Sequence, residues 1–142
     1  MRSAPVFRKR YVLLAILFLI VSFVTYRITH FTPVGQSVIN KVKVTNLINL
    51  YVTEVNAGAT TAFSYRFYLF DASKSDAAFI ESLNGKSHPF LITSDRDALK
   101  KVENQAIYIS VKGEVYSFYS SPGIMKEGFI YSVPVYLTAT PF

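Results

Sequence analysis

His88 stands immediately before Pro89, and of the two histidines it is the one placed to take part in chemistry. A proline holds the residue before it in extended backbone, so His88 is expected at a strand edge or in a loop. A Ser-His-Asp hydrolase would have to use it, since His30 falls at the end of a long apolar run. No nucleophile elbow or comparable local signature accompanies it. Asp95, Asp97 and Glu103 are close in the chain, but their spacing is not that of a calcium loop. Ser94 and Asp97 have capping-box spacing, which uses the same side chains without a metal. Cysteine is absent, which excludes thiolate metal sites, a catalytic thiol, disulfides and the lipid-bearing cysteine of a bacterial lipoprotein. The six glycines are scattered singly, so no phosphate-cradling loop is present. Carboxylate pairs for glycoside chemistry need proximity only in space, and nothing singles one out. The sequence therefore assigns no catalytic residue, no metal ligand and no cofactor.

Aromatic side chains are the feature that remains. Most of the 22 Phe and Tyr follow Phe31, several at alternate positions. Tyr and Arg are favoured where proteins meet partners, and Tyr65, Arg66, Tyr68, Tyr116 and Tyr119 are the expected interaction surface, with Tyr108, Tyr131 and Tyr136 as further candidates. The favoured use of most of these aromatics is β-propensity and the filling of a small sheet core.

These residues need elements to position them, and the first is an anchor. Residues 11–26 read YVLLAILFLIVSFVTY, and extension to Phe31 gives 21 residues. At ~1.5 Å per residue that is about 31 Å of helix, the depth of a bilayer core. Tyr11 and Tyr26 stand where interfacial aromatics belong, and Arg27 can snorkel to the headgroups. A cleaved signal would need small residues after the apolar run, and Val24, Thr25, Tyr26, Arg27 and Ile28 do not supply the pattern. Arg2, Arg8, Lys9 and Arg10 precede the run and Arg27 follows it, so the N-terminus is expected to stay cytoplasmic. The expected division is a basic tail at 1–10, a transmembrane helix at 11–31, a linker at 32–37 and an outer domain at 38–142.

The charge balance narrows function. The whole chain carries a formal net charge of +6, but from residue 32 onward ten Lys and Arg face all nine Asp and Glu. Nucleic-acid binding needs a basic face on the folded part, and the excess lies around the anchor instead.

In the outer domain, residues 38–55 read as one interrupted strand or two short ones, with a turn around Gly58. Residues 62–71 alternate strongly. Phe63, Tyr65, Phe67 and Leu69 share one face, and Ser64, Arg66, Tyr68 and Phe70 share another expected to be partly wet. Residues 76–83 read as a short helix capped by Ser75 and ended by Asn84-Gly85. A short strand is expected at 90–93 and a second short helix at 94–102. Residues 106–111 and 114–119 suggest a hairpin about Lys112-Gly113, or as the alternative one long strand through Gly113. Residues 128–140 read as a last strand with Pro134 at an edge. The expected fold is mainly β (α+β): an N-terminal transmembrane helix, then a small antiparallel sheet of about five to seven strands with two short helices.

The stretch Asn56-Ala57-Gly58-Ala59-Thr60-Thr61, followed by Phe63-Ser64-Tyr65-Arg66-Phe67-Tyr68-Leu69, resembles a pattern in small bacterial exported proteins. There a Gly-Ala-Thr-Thr turn leads into an aromatic strand. In layout the chain is similar to uncharacterised enterobacterial single-pass membrane proteins, and the likeness includes residues 89–94 and 107–118. Some of those proteins carry a cysteine before the glycine, where this chain has Ala57. The resemblance implies a bacterial inner-membrane setting and carries no activity. Gly58 is expected to supply a positive-φ turn position, and Thr60 and Thr61 to cap the bend through their hydroxyls.

Together these readings favour a non-enzymatic periplasmic module, tethered to the lipid bilayer and contacting another envelope protein. The alternative is a domain that binds glycan or a small ligand on Tyr-rich strands.

Overall fold

The computed structural model describes residues 6–29, 35–56, 58 and 62–140, and it divides into two compact units, Met1–Thr32 and Pro33–Phe142. The first holds helix α1, Val6–Thr29. Its 24 residues span about 36 Å at ~1.5 Å each, long and apolar enough to cross a membrane. Apolar side chains from Tyr11 to Tyr26 are exposed along it. The Thr25 hydroxyl donates to the Val21 carbonyl at 2.7 Å, so this polar group is satisfied within the helix. The helix begins before Tyr11 and takes in Lys9 and Arg10, which were expected in a separate tail. Phe31, the expected far end, lies outside the described residues.

The second unit begins with a hairpin. Strand β1 (Gly35–Lys43) starts inside the expected linker, and β2 (Ile48–Asn56) returns beside it. Residues 38–55 are therefore two strands. Thr45 makes the bend, its Oγ1 accepting the N–H groups of Leu47 and Ile48 at 3.1 Å each. Strand β3 (Ser64–Asp71) follows, then helix α2 (Asp76–Ser82) with Ser75 as its N-cap, as expected. The remaining strands are β4 (Leu91–Thr93), β5 (Leu99–Glu103), β6 (Ala106–Lys112), β7 (Val115–Phe118), β8 (Gly123–Lys126), β9 (Phe129–Ser132) and β10 (Val135–Thr140).

They form a five-stranded sheet in the order β1-β2-β3-β4-β7, a three-stranded sheet β10-β6-β5 and the two-stranded hairpin β8-β9. All pairings are antiparallel except β10 with β6, which is parallel. The larger core lies between the first two sheets, where Leu50, Val52, Phe67 and Leu91 meet Ile107, Ile109, Val111 and Val133. Helix α2 covers the opposite face of the five-stranded sheet. There Phe79, fully buried, stacks on Tyr51 at 4.0 Å between ring centres and meets the Tyr68 ring edge-on at 5.6 Å.

Three expectations are corrected. Residues 94–102 form no helix: Ser94 Oγ accepts the Glu114 N–H, Asp95 accepts the N–H groups of Asp97 and Lys112, and Leu99–Glu103 is strand β5. So short a helix is marginal by itself, and pairing with β6 outweighs it. Strands β6 and β7 are not a hairpin but belong to different sheets. The chain changes sheets at Gly113, whose φ of 136° suits glycine. The last strand is split at Val133 and Pro134 into β9 and β10, because proline has no N–H for a ladder. Pro134 leads into β10, an edge strand, and its carbonyl accepts the Ile107 N–H at 3.0 Å.

Candidate functional site

The concave surface of the β unit follows from where β4 stops. Strand β4 pairs with β3 at Phe67↔Leu91, Arg66↔Ile92 and Tyr65↔Thr93. Extending this register puts Pro89 opposite Leu69, and proline cannot donate. The sheet opens there. The segment 86–90 leaves β3, and a groove forms between it, the end of β3 and strand β8. Three adjoining hollows make up the groove, of about 280, 320 and 280 Å³. Leu69, Phe90, Pro122 and Tyr119 line one end. Asp71, His88, Gly123, Ile124 and Met125 line the middle, and Lys74, Lys86, Ser87 and Glu81 line the other end.

Charge inside the groove is partly spoken for. Asp71 Oδ1 accepts the Ser73 hydroxyl at 2.7 Å, the Ser73 N–H at 2.9 Å and the Lys126 ammonium at 2.9 Å. The Ser73 hydrogen bonds, with Lys126 adding to them, hold its carboxyl well below the usual range, at about 2. The Asp71–Lys126 pair is mostly shielded from solvent, and it ties the β8-β9 hairpin to the end of β3. Lys74 and Lys86 are exposed and line the groove against Glu81. Lys74 also lies 5.8 Å from the centre of the Phe70 ring.

Ser87, His88 and Asp71 share the middle of the groove, which raises the hydrolase question directly. Ser87 Oγ donates to Ser82 Oγ at 2.7 Å, and that hydroxyl donates in turn to the Phe79 carbonyl. The serine proton thus runs toward helix α2, and Asp71 is taken by Ser73 and Lys126. Neither is bonded to the imidazole. Among the described residues, no three His, Asp or Glu side chains are grouped to hold a metal.

The hairpin beside the groove is apolar on the outside. Its loop is Glu127-Gly128, with φ of 52° and 81°, the two positive values of a type I′ turn. Ile124 and Tyr131 face inward onto the core, while Met125 and Ile130, directly paired, point out with 76% and 73% exposure. Phe129 at the tip is 67% exposed. Gly123 has no room for a side chain: a Cβ there would meet the Tyr131 carbonyl oxygen at 2.8 Å.

The expected interaction residues are divided by this fold. Tyr116 and Tyr119 are exposed, and Tyr119 borders the groove. Tyr65 and Tyr68 are buried, the first against the three-stranded sheet and the second under α2, so they offer no outer surface. The alternation was read correctly, but both faces of β3 are covered. Arg66 is half-buried, and its Nε finds no hydrogen-bond partner among the described residues. Gly58 has φ of 112°, the positive value expected, and donates its N–H to Asn56 Oδ1 at 3.0 Å. Thr60 and Thr61 lie outside the described residues. Leu69, Lys74, Lys86, Met125 and Ile130 went unrecognised as site residues. The signal available for two of them was an apolar residue at matching distance on either side of Glu127-Gly128.

Compared with protein-family models, curated proteins and solved structures, the chain matches none.

Proposed function

We propose that this chain is a non-enzymatic, membrane-tethered module whose β unit contacts another protein of the bacterial envelope. The observation that carries the reading is the outward apolar pair Met125 and Ile130, with Phe129 exposed at the hairpin tip, next to the groove bearing Lys74 and Lys86. Large exposed apolar groups gathered in one place mark interaction surfaces. Helix α1 supports the tether, and the positive residues before its apolar stretch, Arg2, Arg8, Lys9 and Arg10, support a cytoplasmic N-terminus and a periplasmic β unit in the inner membrane. Tethering raises the local concentration of a partner in the same membrane, so a weak interface suffices.

A photo-crosslinking amino acid at Ile130, in intact cells, tests this. A reproducible protein adduct is expected from Ile130 and none from Lys100, which is exposed on β5. Absence of any adduct from Ile130 would sink the proposal.

One observation favours glycan binding as a second reading. The Tyr108 and Tyr136 rings stack at 5.1 Å, with Lys101 4.8 Å from the Tyr108 centre, on the three-stranded sheet. Replacing Tyr136 with Ala would then release the protein from purified cell wall, whereas a partner-binding module is unaffected.

A further inference from the structure

The hydrogen-bond phase of the β8-β9 hairpin shows what kind of partner segment the groove takes. Val133 N–H donates to the Pro122 carbonyl at 2.9 Å, and the register pairs Gly123↔Ser132, Ile124↔Tyr131, Met125↔Ile130 and Lys126↔Phe129. Bonded and non-bonded pairs alternate in an antiparallel ladder. Pro122, Ile124 and Lys126 are therefore the bonded positions, and the main-chain groups of Gly123 and Met125 point away from β9. The close approach at Gly123 agrees, since non-bonded pairs bring their Cα atoms nearest. Gly123 and Met125 both line the groove. No main-chain bond outside the hairpin engages either of them among the described residues. This is a free strand edge, short and unprotected by proline, on a two-stranded sheet that a third strand would stabilise.

From this edge we infer that the groove binds an extended acidic–apolar segment of the partner protein, added as a third strand alongside β8. Gly123 and Met125 supply the main-chain bonds, as in other strand-addition complexes. Apolar side chains of the segment settle over Leu69 and beside Met125. Its carboxylates meet Lys74 and Lys86, the groove's exposed cations, while Lys126 stays with Asp71. The free main-chain groups of Gly123 and Met125 favour a protein segment over the tethering bilayer as the occupant, because lipid offers no strand to pair with them.

The inference rests on the partner-contact reading, and its test separates the two. The probe is a fluorescein-labelled octapeptide of alternating Glu and Val, titrated by anisotropy against the full chain in detergent micelles. Binding is expected, with Gly123 and Met125 amides gaining protection from hydrogen exchange. Lys74→Glu with Lys86→Glu weakens it by about tenfold. Met125→Pro does the same, because it removes an outward N–H and leaves the bonds to β9. Two further probes leave the protein untouched: one N-methylated at every Val, the other at every Glu. Only one set of amides faces β8, so their affinities differ by about tenfold. Equal affinity of the two, or no binding of the parent peptide, overturns strand addition. Protection of Gly123 and Met125 without peptide, accompanied by dimerisation, overturns it in favour of a second copy. If the Ile130 adduct survives Met125→Pro, the partner reading stands and strand addition falls. If the peptide binds as expected but Ile130 gives no adduct in cells, the strand site stands and the partner reading falls.

Discussion

Asp71 shows how one carboxylate sets a pH limit for the β unit. Its folded pKa, about 2, lies below the ordinary 3.8. A depressed carboxyl pKa contributes stability that is full above the unfolded value and is lost as pH falls through the folded one. The window is therefore about pH 4 down to 2, and the contribution, discounted for partial solvent access, is about 1–2 kcal/mol. Chemical denaturation of the wild type should weaken across that window, while Asp71→Asn should be weaker at pH 6 and lose less between pH 4 and 2, where Asp76 and Glu103, held down by their lysines, still contribute. Equal slopes for the two proteins would contradict the assignment. Gly123 acts through space instead of charge. Gly123→Ala forces backbone apart at Tyr131, since carbonyl oxygen cannot move as a flexible side chain does. We expect a loss of about 1–3 kcal/mol, with faster amide exchange at Tyr131 and Val133 than in the wild type. Neither effect could be read from the sequence. Ser73 and Asp71 are near neighbours, but Lys126 is 55 residues away, and only folding brings it to them.

Helix α2 is seven residues long, too short to persist without packing. What holds it is Phe79 between Tyr51 and Tyr68, with Asp76 as a second point of attachment. Asp76 Oδ1 accepts from Lys41 at 2.6 Å and from the Tyr51 hydroxyl at 2.7 Å. Lys41 and Tyr51 sit opposite each other on β1 and β2, so the helix is pinned to two strands at once. Phe79→Ala should cost about 3–5 kcal/mol and abolish the near-ultraviolet circular dichroism of the stacked tyrosine. If that signal persists with little loss of stability, α2 is held by its ion pair instead. The short helix was legible in advance because Ser75, Asp76 and the apolar Phe79 and Leu83 follow helical spacing. The false helix at 94–102 had similar local signals. The difference is that Phe79 found a buried aromatic site, whereas Leu99 and Val102 found a strand partner in β6.

At the scale of the whole chain, α1 and the β unit answer different physical demands. The helix satisfies its main-chain groups internally, which is the requirement for crossing a bilayer. Alkaline carbonate washing of membranes should leave the full chain in the pellet; its release would show that α1 does not span. Substitution of Lys9 and Arg10 by Glu should reduce the fraction of β units on the far side, as judged by protease added to intact spheroplasts. Both expectations were open to reading from residue types alone, because a bilayer responds to length, hydropathy and flanking charge. The same holds for the alternation in β3, the Ser75 cap and the positive φ of Gly58, all of which depend on neighbours in the chain. Other features depend on which distant segments meet. Local pattern shows that β3 has two distinct faces, but not that both are covered, and so it leaves Tyr65 and Tyr68 open to either surface or core. The pairing of β10 with β6, the gap opened by Pro89 opposite Leu69 and the free edge of β8 arise from register between remote strands. Register is set by the joint burial of Phe67, Leu91, Ile107 and Val133, a packing condition that no single stretch of residues contains.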